Sequence, residues 1–409
     1  MKILFLNEYA KPHIVSGAER SMLALSSAIG RSSFGRKKIK VYTLSPNLSP
    51  QPKGSVLKGR TLLDLKFPFP FKINPGQTLS PIIFNNPIFW LYVAIQTISI
   101  VKAHQVNLIH VHGKYIQPAA IIASWLTKIP VVTTVRDFKF LCPLALCYTH
   151  QQKKCSFSYF INKEIPFYLN NYTKNKLLKP VFYPRLVLAK LWQYVLKWFL
   201  NQSNQVIAVS PQLAVIYQTA GIKNTIGIYN LPPLKQISSK KSKLTNTIIS
   251  IGKLSYGKGT DSLLKAMQLL PKIKLIIAGD KNISLKQDFP KNVDYLGKIS
   301  HDQALSLFKK ADVFIINSRW PEPLSRAGLE ALSFGLPIIA SNRGGNQKLV
   351  KNNGYLVNPD KTSDIVKAIK SIFNKDLQKL SKNSHLLLST RFSREKIIQQ
   401  HLNLYNNLI

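Results

Sequence analysis

Short runs of apolar, often β-branched residues recur along the chain, separated by longer stretches whose apolar positions return every three or four residues. The first pattern is that of strands buried on both faces of a parallel sheet, and the second that of amphipathic helices covering it. One set of runs predicts strands at Ile3–Leu6, Ile39–Leu44, Asn107–Val111, Val131–Val135 and Gln205–Val209. A second set predicts strands at Thr247–Ile251, Lys274–Ala278, Val293–Leu296, Val313–Ile316, Pro337–Ala340 and Tyr355–Val357. Between them lies LPPLKQISSKKSKLTN, residues 231–246, whose prolines, serines and lysines suit a linker rather than a core element.

The expected fold class is therefore α/β, with two doubly wound Rossmann-like domains facing across a cleft. With 409 residues the chain exceeds what one core usually serves. The expected division is an N-terminal domain at 1–230, the linker at 231–246, a second domain at 247–385 and a C-terminal helix at 386–409. That last helix is expected to open at Ser393, with Glu395 beside its positive end. In open sheets of this kind, ligands bind at the carboxyl ends of the strands.

Two stretches depart from the alternation. Ile88–Val101 is the most apolar, but its fourteen residues fall short of the roughly twenty that span a bilayer. Val181–Leu200, VFYPRLVLAKLWQYVLKWFL, is apolar and aromatic and is interrupted by Arg185, Lys190 and Lys197. It fits either a helix lying in a membrane interface or one packed inside the protein with its lysine stems extended to water. The apolar part of Met1–Glu8 is too short for a signal peptide and reads as a buried strand. The expected location is the cytoplasm, with peripheral attachment to the inner membrane face as an option.

Charge narrows the partners. Fifty-seven Lys and Arg against seventeen Asp and Glu leave a net charge of +40, so the chain must meet anions. Nucleic acid, anionic lipid and phosphorylated substrates all qualify, as does a general compositional bias toward lysine. The basic residues are scattered through both halves with no nucleic-acid-binding module, so no nucleic-acid partner is expected. Cys142, Cys147 and Cys155 form no disulfide framework, and even with His150 their spacing matches no usual zinc pattern. No Asp-x-Asp pair that would hold a divalent cation occurs, and neither metal nor cofactor is expected.

The densest chemistry lies in SRWPEPLSRAGLEALSFGLPIIAS, Ser318–Ser341. A strand runs into a loop carrying Glu322, then into a helix containing Glu330. The two carboxylates thus sit at different depths of one site and can hold two parts of one ligand. The helix start, near Leu324 and Ser325, offers backbone N–H groups and a positive dipole end suited to a diphosphate. Upstream, ISIGKLSYGKGTDSLLKAM places Gly252, Lys253 and Lys258 between a strand and another helix start, where two ammonium groups could meet a pyrophosphate.

These segments resemble the retaining glycosyltransferases of family four, which have the GT-B fold. Glu322 and Glu330, in the frame EPLSRAGLEALSFGLP, have the spacing of that family's glutamate pair. The resemblance implies that Glu330 binds the donor ribose hydroxyls, that Glu322 binds a hydroxyl of the transferred sugar, and that the Leu324 and Ser325 amides face sugar and phosphate. Lys253 stands where an arginine is usual, and Lys348 in NRGGNQKLV where a glutamate is common. LIIAGD, ending at Asp280, and VDYLGKIS, reaching Ile299, are similar to the family's core strand and base-contacting loop. SGAER, with Gly17, is similar to a glycine-rich loop that admits the donor phosphate, although Ser16 replaces one glycine. VVTTVRDFKFLCP is similar to the family's His-Asp segment, placing Arg136 and Asp137 at the catalytic positions with arginine in place of histidine. Arginine stays charged and cannot act as a base.

The resemblance implies metal-independent transfer from a nucleotide diphosphate sugar to a glycan or lipid-linked acceptor in cell-surface polysaccharide synthesis, with the acceptor bound by the N-terminal Rossmann-like domain, 1–230, the nucleotide sugar by the domain at 247–385, and the C-terminal helix, 386–409, crossing back to the first domain. The acceptor hydroxyl would attack from the face the diphosphate leaves, through an oxocarbenium-like state. A nucleotide-sugar epimerase on the same fold, a pseudoenzyme that only binds the donor, and a basic nucleic-acid-binding protein are the rival readings.

Overall fold

In the computed structural model, the described residues are 1–8, 17–34, 37–46, 56–57, 60–65, 85–145, 155–172, 179–233, 245–281 and 288–409. Most of the linker, Ser16, Cys147 and His150 lie outside them. The chain forms two compact units, the first made of Met1–Pro143, Ala189–Leu231 and Glu395–Ile409, the second of Leu144–Leu188 and Pro232–Arg394.

The first unit is built on an eight-stranded sheet in the order β10-β9-β8-β7-β1-β4-β6-β5. Its strands are β1 (Lys2–Leu6), β4 (Lys40–Pro46), β5 (Val56–Leu57), β6 (Arg60–Leu65), β7 (Leu108–Val111), β8 (Val131–Val135), β9 (Gln205–Ala208) and β10 (Thr225–Gly227). All pairs are parallel except β5 with β6. A separate two-stranded ribbon pairs β2 (Ser33–Phe34) with β3 (Lys37–Lys38). Ile3 pairs with Val41 on one side and Leu108 on the other, and these side chains are buried, as a sheet covered on both faces requires.

The helices described for this unit are α1 (Gly17–Gly30), α2 (Pro87–His104), α3 (Gln117–Thr127), α4 (Lys179–Asn201, of which the part from Ala189 belongs here), α5 (Pro211–Thr219) and, from the far end of the chain, α11 (Arg394–Leu408). The starts of α2 and α5 follow directly from sequence. Asn86 and Ser210 accept the Ile88 and Leu213 amides, and Pro87 and Pro211 supply a preset φ where no N–H is needed. Ile397, Leu402 and Tyr405 of α11 join Phe5, Met22 and Val132 in one core.

The second unit carries a six-stranded, wholly parallel sheet in the order β13-β12-β11-β14-β15-β16. Its strands are β11 (Thr247–Ile251), β12 (Lys274–Ala278), β13 (Val293–Tyr295), β14 (Val313–Ile316), β15 (Ile338–Ser341) and β16 (Gly354–Val357). Besides the helical stretch Phe157–Tyr172 and the first part of α4, its helices are α6 (Thr260–Gln268), α7 (His301–Lys310), α8 (Arg326–Ser333), α9 (Thr362–Phe373) and α10 (Leu377–Thr390). Leu263, Leu264, Ile315, Ile339, Ile365 and Ile369 share its core.

All eleven strands expected from the apolar runs are present, within two residues at either end. The reading missed β2, β3, β5, β6 and β10, which are short or carry polar residues. In α4, Lys190 corrects the expectation that its charged residues interrupt the run at the surface. Its side chain is fully buried and Nζ donates to Gln193 Oε1 at 2.9 Å. Tyr194 and Trp198, by contrast, are exposed.

Candidate active site

In the second unit the strand order reverses between β11 and β14, the place where a doubly wound sheet opens a crevice at its carboxyl edge. The loops leaving these two strands press together there. Gly259 adopts φ +63°, and a Cβ on it would lie 2.0 Å from the Asn317 carbonyl oxygen, so only glycine allows the contact. The pocket so formed is lined by Ser250, Gly252, Lys253, Lys258, Asn317, Ser318, Glu322 and Ser325, among others.

Five expected donor-site residues therefore meet in one pocket. Lys253 is exposed at its rim, while a 3-10 turn, Tyr256–Lys258, carries Lys258 inward. Lys258 Nζ forms an ion pair with Glu322 Oε1, which also accepts the Ser318 hydroxyl at 2.7 Å. Glu322 is buried, and its loop is tied at the back by a hydrogen bond from the Gly345 amide to the Glu322 carbonyl, 2.6 Å.

Helix α8 begins directly behind. Ser325 caps it, accepting the Gly328 amide at 3.1 Å, and the Ser325 N–H itself donates to Asn346 Oδ1 at 3.2 Å. The expectation that this amide faces a phosphate thus meets an internal partner. Leu324 is buried just ahead of the cap. Glu330, one turn further in, is buried and receives Arg326 Nε at 3.1 Å, with His301 Nε2 3.9 Å away. Half-buried Ile299 lies two residues before His301, at the capping box that Ser300 and Gln303 build for α7. His301, Arg326 and Ser318 escaped the sequence reading because no motif marks them; the position of Arg326 one turn before Glu330 is the single usable signal.

The first unit also reverses strand order, between β1 and β7. Arg136, just past β8, donates through Nη1 to Asn230 Oδ1 at 2.8 Å and through Nη2 to His112 Nδ1 at 2.7 Å. An arginine donor fixes His112 Nδ1 as an acceptor, so that ring is neutral. Burial holds His110 and His112 well below the usual imidazole range and His401 down to about 4, reinforced for all three by the Arg136 charge. Asp137 points elsewhere, accepting the Lys139 amide at 2.8 Å, so Arg136 and Asp137 are neighbours in sequence with separate partners. Gly17 is the exposed first residue of α1.

Sequence reading passed over Glu8 and Lys114, which lie at the ends of β1 and β7. Burial raises the Glu8 carboxyl to about 7, against the hydrogen bond it accepts from the Tyr115 amide. Burial also lowers the Lys114 ammonium to about 8, against the attraction of Asp137. Among the described residues no group of three or more His, Cys, Asp or Glu is arranged to hold a metal ion.

Comparison with known proteins places the chain in a family. The chain matches Glycosyltransferase Family 4 over residues 15–230, more than half its length, and Glycosyl transferases group 1 over residues 234–386. It is 28% identical to spore coat protein SA of Bacillus subtilis over 181 residues, covering 39% of this chain and 48% of that protein. It is 31% identical to an uncharacterized glycosyltransferase of Haemophilus influenzae over 193 residues, 43% and 54% of the two chains. The chain thus spans about half the length of the curated relatives it matches. Its fold is that of Anabaena Alr3699/HepE, solved in complex with UDP and glucose, with a TM-score of 0.62 and 20% identity over the whole of both chains. The fold class is thus GT-B. The chain belongs to Glycosyltransferase Family 4.

Proposed function

We propose that the chain transfers a sugar from a nucleoside diphosphate donor to a hydroxyl acceptor with retention of configuration, holding the donor in the second unit. The observation that carries this reading is the convergence of Lys253, Lys258 and Glu322 on one pocket at the β11/β14 switch, with Glu330 buried behind it in α8. That is the charge pattern a nucleotide sugar presents in reverse: cations for the diphosphate, carboxylates for hydroxyl groups.

The Lys258–Glu322 pair gives the donor something to exchange. A diphosphate entering the pocket takes Lys258 from Glu322 and frees that carboxylate for a sugar hydroxyl. Lys253, Lys258 and the positive end of α8 then stabilise the departing diphosphate without requiring a metal ion. Glu330 and Ile299 take the nucleoside end. Acceptor binding falls to the N-terminal domain, residues 1–230, where Arg136 and Asp137 stand at the carboxyl edge of the sheet; the donor domain is residues 247–385. The acceptor is a glycan or a lipid-linked glycan, in cell-surface polysaccharide synthesis.

A surface on the first unit supports work beside a membrane. Ile88, Leu91 and Ile95 form an exposed stripe along α2, and Trp125 of α3 packs edge-on against the exposed Trp198 of α4. No described helix is long and apolar enough to cross a bilayer.

The test is incubation with a panel of nucleotide sugars with and without acceptor extracts, reading nucleoside diphosphate release and product anomer by NMR. Transfer with the donor's anomeric configuration supports the reading. Inverted product, epimerised donor or no turnover with any donor would each reject it.

A further inference from the structure

One set of charges in the second unit lies outside the lining of this pocket yet surrounds the pocket's two key loops. Arg319, three residues past β14, has a side chain only 8% exposed. Its Nη1 and Nη2 reach the two Asp261 oxygens at 2.5 and 2.9 Å, and its Nε reaches Asp360 Oδ1 at 2.7 Å. Nη1 also donates to the Tyr256 carbonyl at 2.8 Å, and the guanidinium lies 4.2 Å from the centre of the Tyr256 ring. The second Asp360 oxygen holds Arg343, whose Nη1 donates to the Arg319 carbonyl at 3.1 Å. Two arginines thus balance two aspartates, and the Arg319 fork is committed to protein groups on every side.

What these bonds hold is informative. Tyr256 opens the turn that ends at Lys258, and the Trp320 amide, next to Arg319, donates to Gly257 O of that turn at 3.0 Å. Arg343 immediately precedes the Gly344–Gly345 pair whose amide ties the Glu322 carbonyl. The Lys258 turn, the Glu322 loop and the β15 exit therefore share one anchor.

We propose that Arg319 is a positioning residue of the donor site: its planar fork, fixed by Asp261 and Asp360, sets the placement of Lys258 against Glu322 and so the placement of the donor's reacting end. The catalytic half of this inference rests on the glycosyltransferase reading, while the structural half stands without it. A lysine cannot substitute, because one ammonium offers no planar set of donors to two carboxylates and a carbonyl. Burial works against both charges, but the hydrogen bonds win: Arg319 is held above its ordinary range and Asp360 below its own, so these two stay ionised.

The experiment compares the full chain with Arg319→Lys and Asp360→Asn by hydrogen exchange, melting temperature and donor kinetics. Arg319→Lys should speed exchange at the Lys258, Trp320 and Gly345 amides by about tenfold or more, while the strand amides of Phe314 and Ile339 keep their protection. With the most active donor of the panel, kcat should fall roughly 10- to 100-fold with KM nearly unchanged, because the nucleoside end remains anchored at Glu330. Asp360→Asn, which leaves the Asp261 fork in place, should show the same pattern in weaker form and serves if Arg319→Lys does not fold. Unchanged exchange at the three amides, or a rise spread evenly over the sheet, overturns the proposal. So does a loss in which KM rises while kcat holds. Absence of turnover in the unmodified protein would sink the glycosyltransferase reading, and the exchange pattern would still decide whether Arg319 anchors the two loops.

Discussion

At the scale of single residues, the site makes two sharp predictions. Glu322→Ala and Glu330→Ala should each abolish measurable transfer while the protein stays folded. Both side chains are buried and the proposed function gives each a donor hydroxyl to hold, so transfer at the unmodified rate in either variant would remove the core of the assignment. Lys253→Met and Lys258→Met should each weaken donor turnover by about 1–3 kcal/mol, the worth of a lost charge-assisted hydrogen bond. Equal UDP affinity in both variants and the parent, by calorimetry, would contradict the diphosphate role. The buried imidazoles predict a pH response. His110, His112 and His401 stay neutral in the fold, whereas the unfolded chain protonates them near 6.5. Below that pH the unfolded state binds more protons, so stability falls as pH drops toward about 4, where folded His401 itself titrates. Glu8 acts in the opposite sense, since its raised folded value of about 7 favours the fold as pH falls, but one carboxyl faces three imidazoles. Urea midpoints at pH 7, 6 and 5 should therefore decrease in that order, and a flat series would show that the imidazoles are hydrated rather than buried.

At the scale of elements, the tightest constraint is where the β11 and β14 loops meet. Gly259→Ala puts a Cβ 2.0 Å from the Asn317 carbonyl at a φ of +63°, whereas at Gly257 the nearest atom to a Cβ is 4.0 Å away. Gly259→Ala should thus cost at least about 2 kcal/mol of unfolding free energy, from strain and overpacking together. Gly257→Ala should stay within about 0.5 kcal/mol, and equal losses at the two positions would refute the contact. The same junction shows what sequence reveals. Strands such as Val131–Val135 and Val313–Ile316 were legible because burial on both faces demands unbroken apolar runs. Arg60–Leu65 was not, because Arg60, Thr61 and Asp64 break its apolar run, and Thr225–Gly227 is too short to show a pattern. The glutamate pair was legible because one loop and one helix fix its spacing. Lys258 meets Glu322 across 64 residues of sequence and Arg319 meets Asp261 across 58, so those pairings arise only when parallel strands bring their loops to one edge. No local pattern encodes them.

At the scale of the whole molecule, the net charge of +40 and the apolar surface of the first unit make one joint prediction. Ile88, Leu91 and Ile95 are 75, 53 and 66% exposed on α2, Leu126 is 70% exposed on α3, and Trp198 is 52% exposed on α4. The three helices are stitched by stacking of Trp90 on Trp192 and by the Trp125–Trp198 contact, so the exposed side chains stand on neighbouring helices. Amphipathic aromatic rings beside basic residues suit the head-group region of a bilayer, and anionic lipid attracts each nearby Lys or Arg by about 1 kcal/mol. The chain should therefore float with vesicles containing anionic phosphatidylglycerol, less with neutral phosphatidylcholine, and less again at high salt, where exposed charges are screened. Leu91→Ser with Trp198→Ser should lower flotation at unchanged melting temperature. Lys190→Gln should do the reverse, lowering stability without changing flotation, because that ammonium is buried against Gln193 rather than offered to lipid. Flotation that ignores lipid charge and salt, or that survives loss of Leu91 and Trp198, would assign the exposed stripe to another partner and leave the donor site in the second unit untouched.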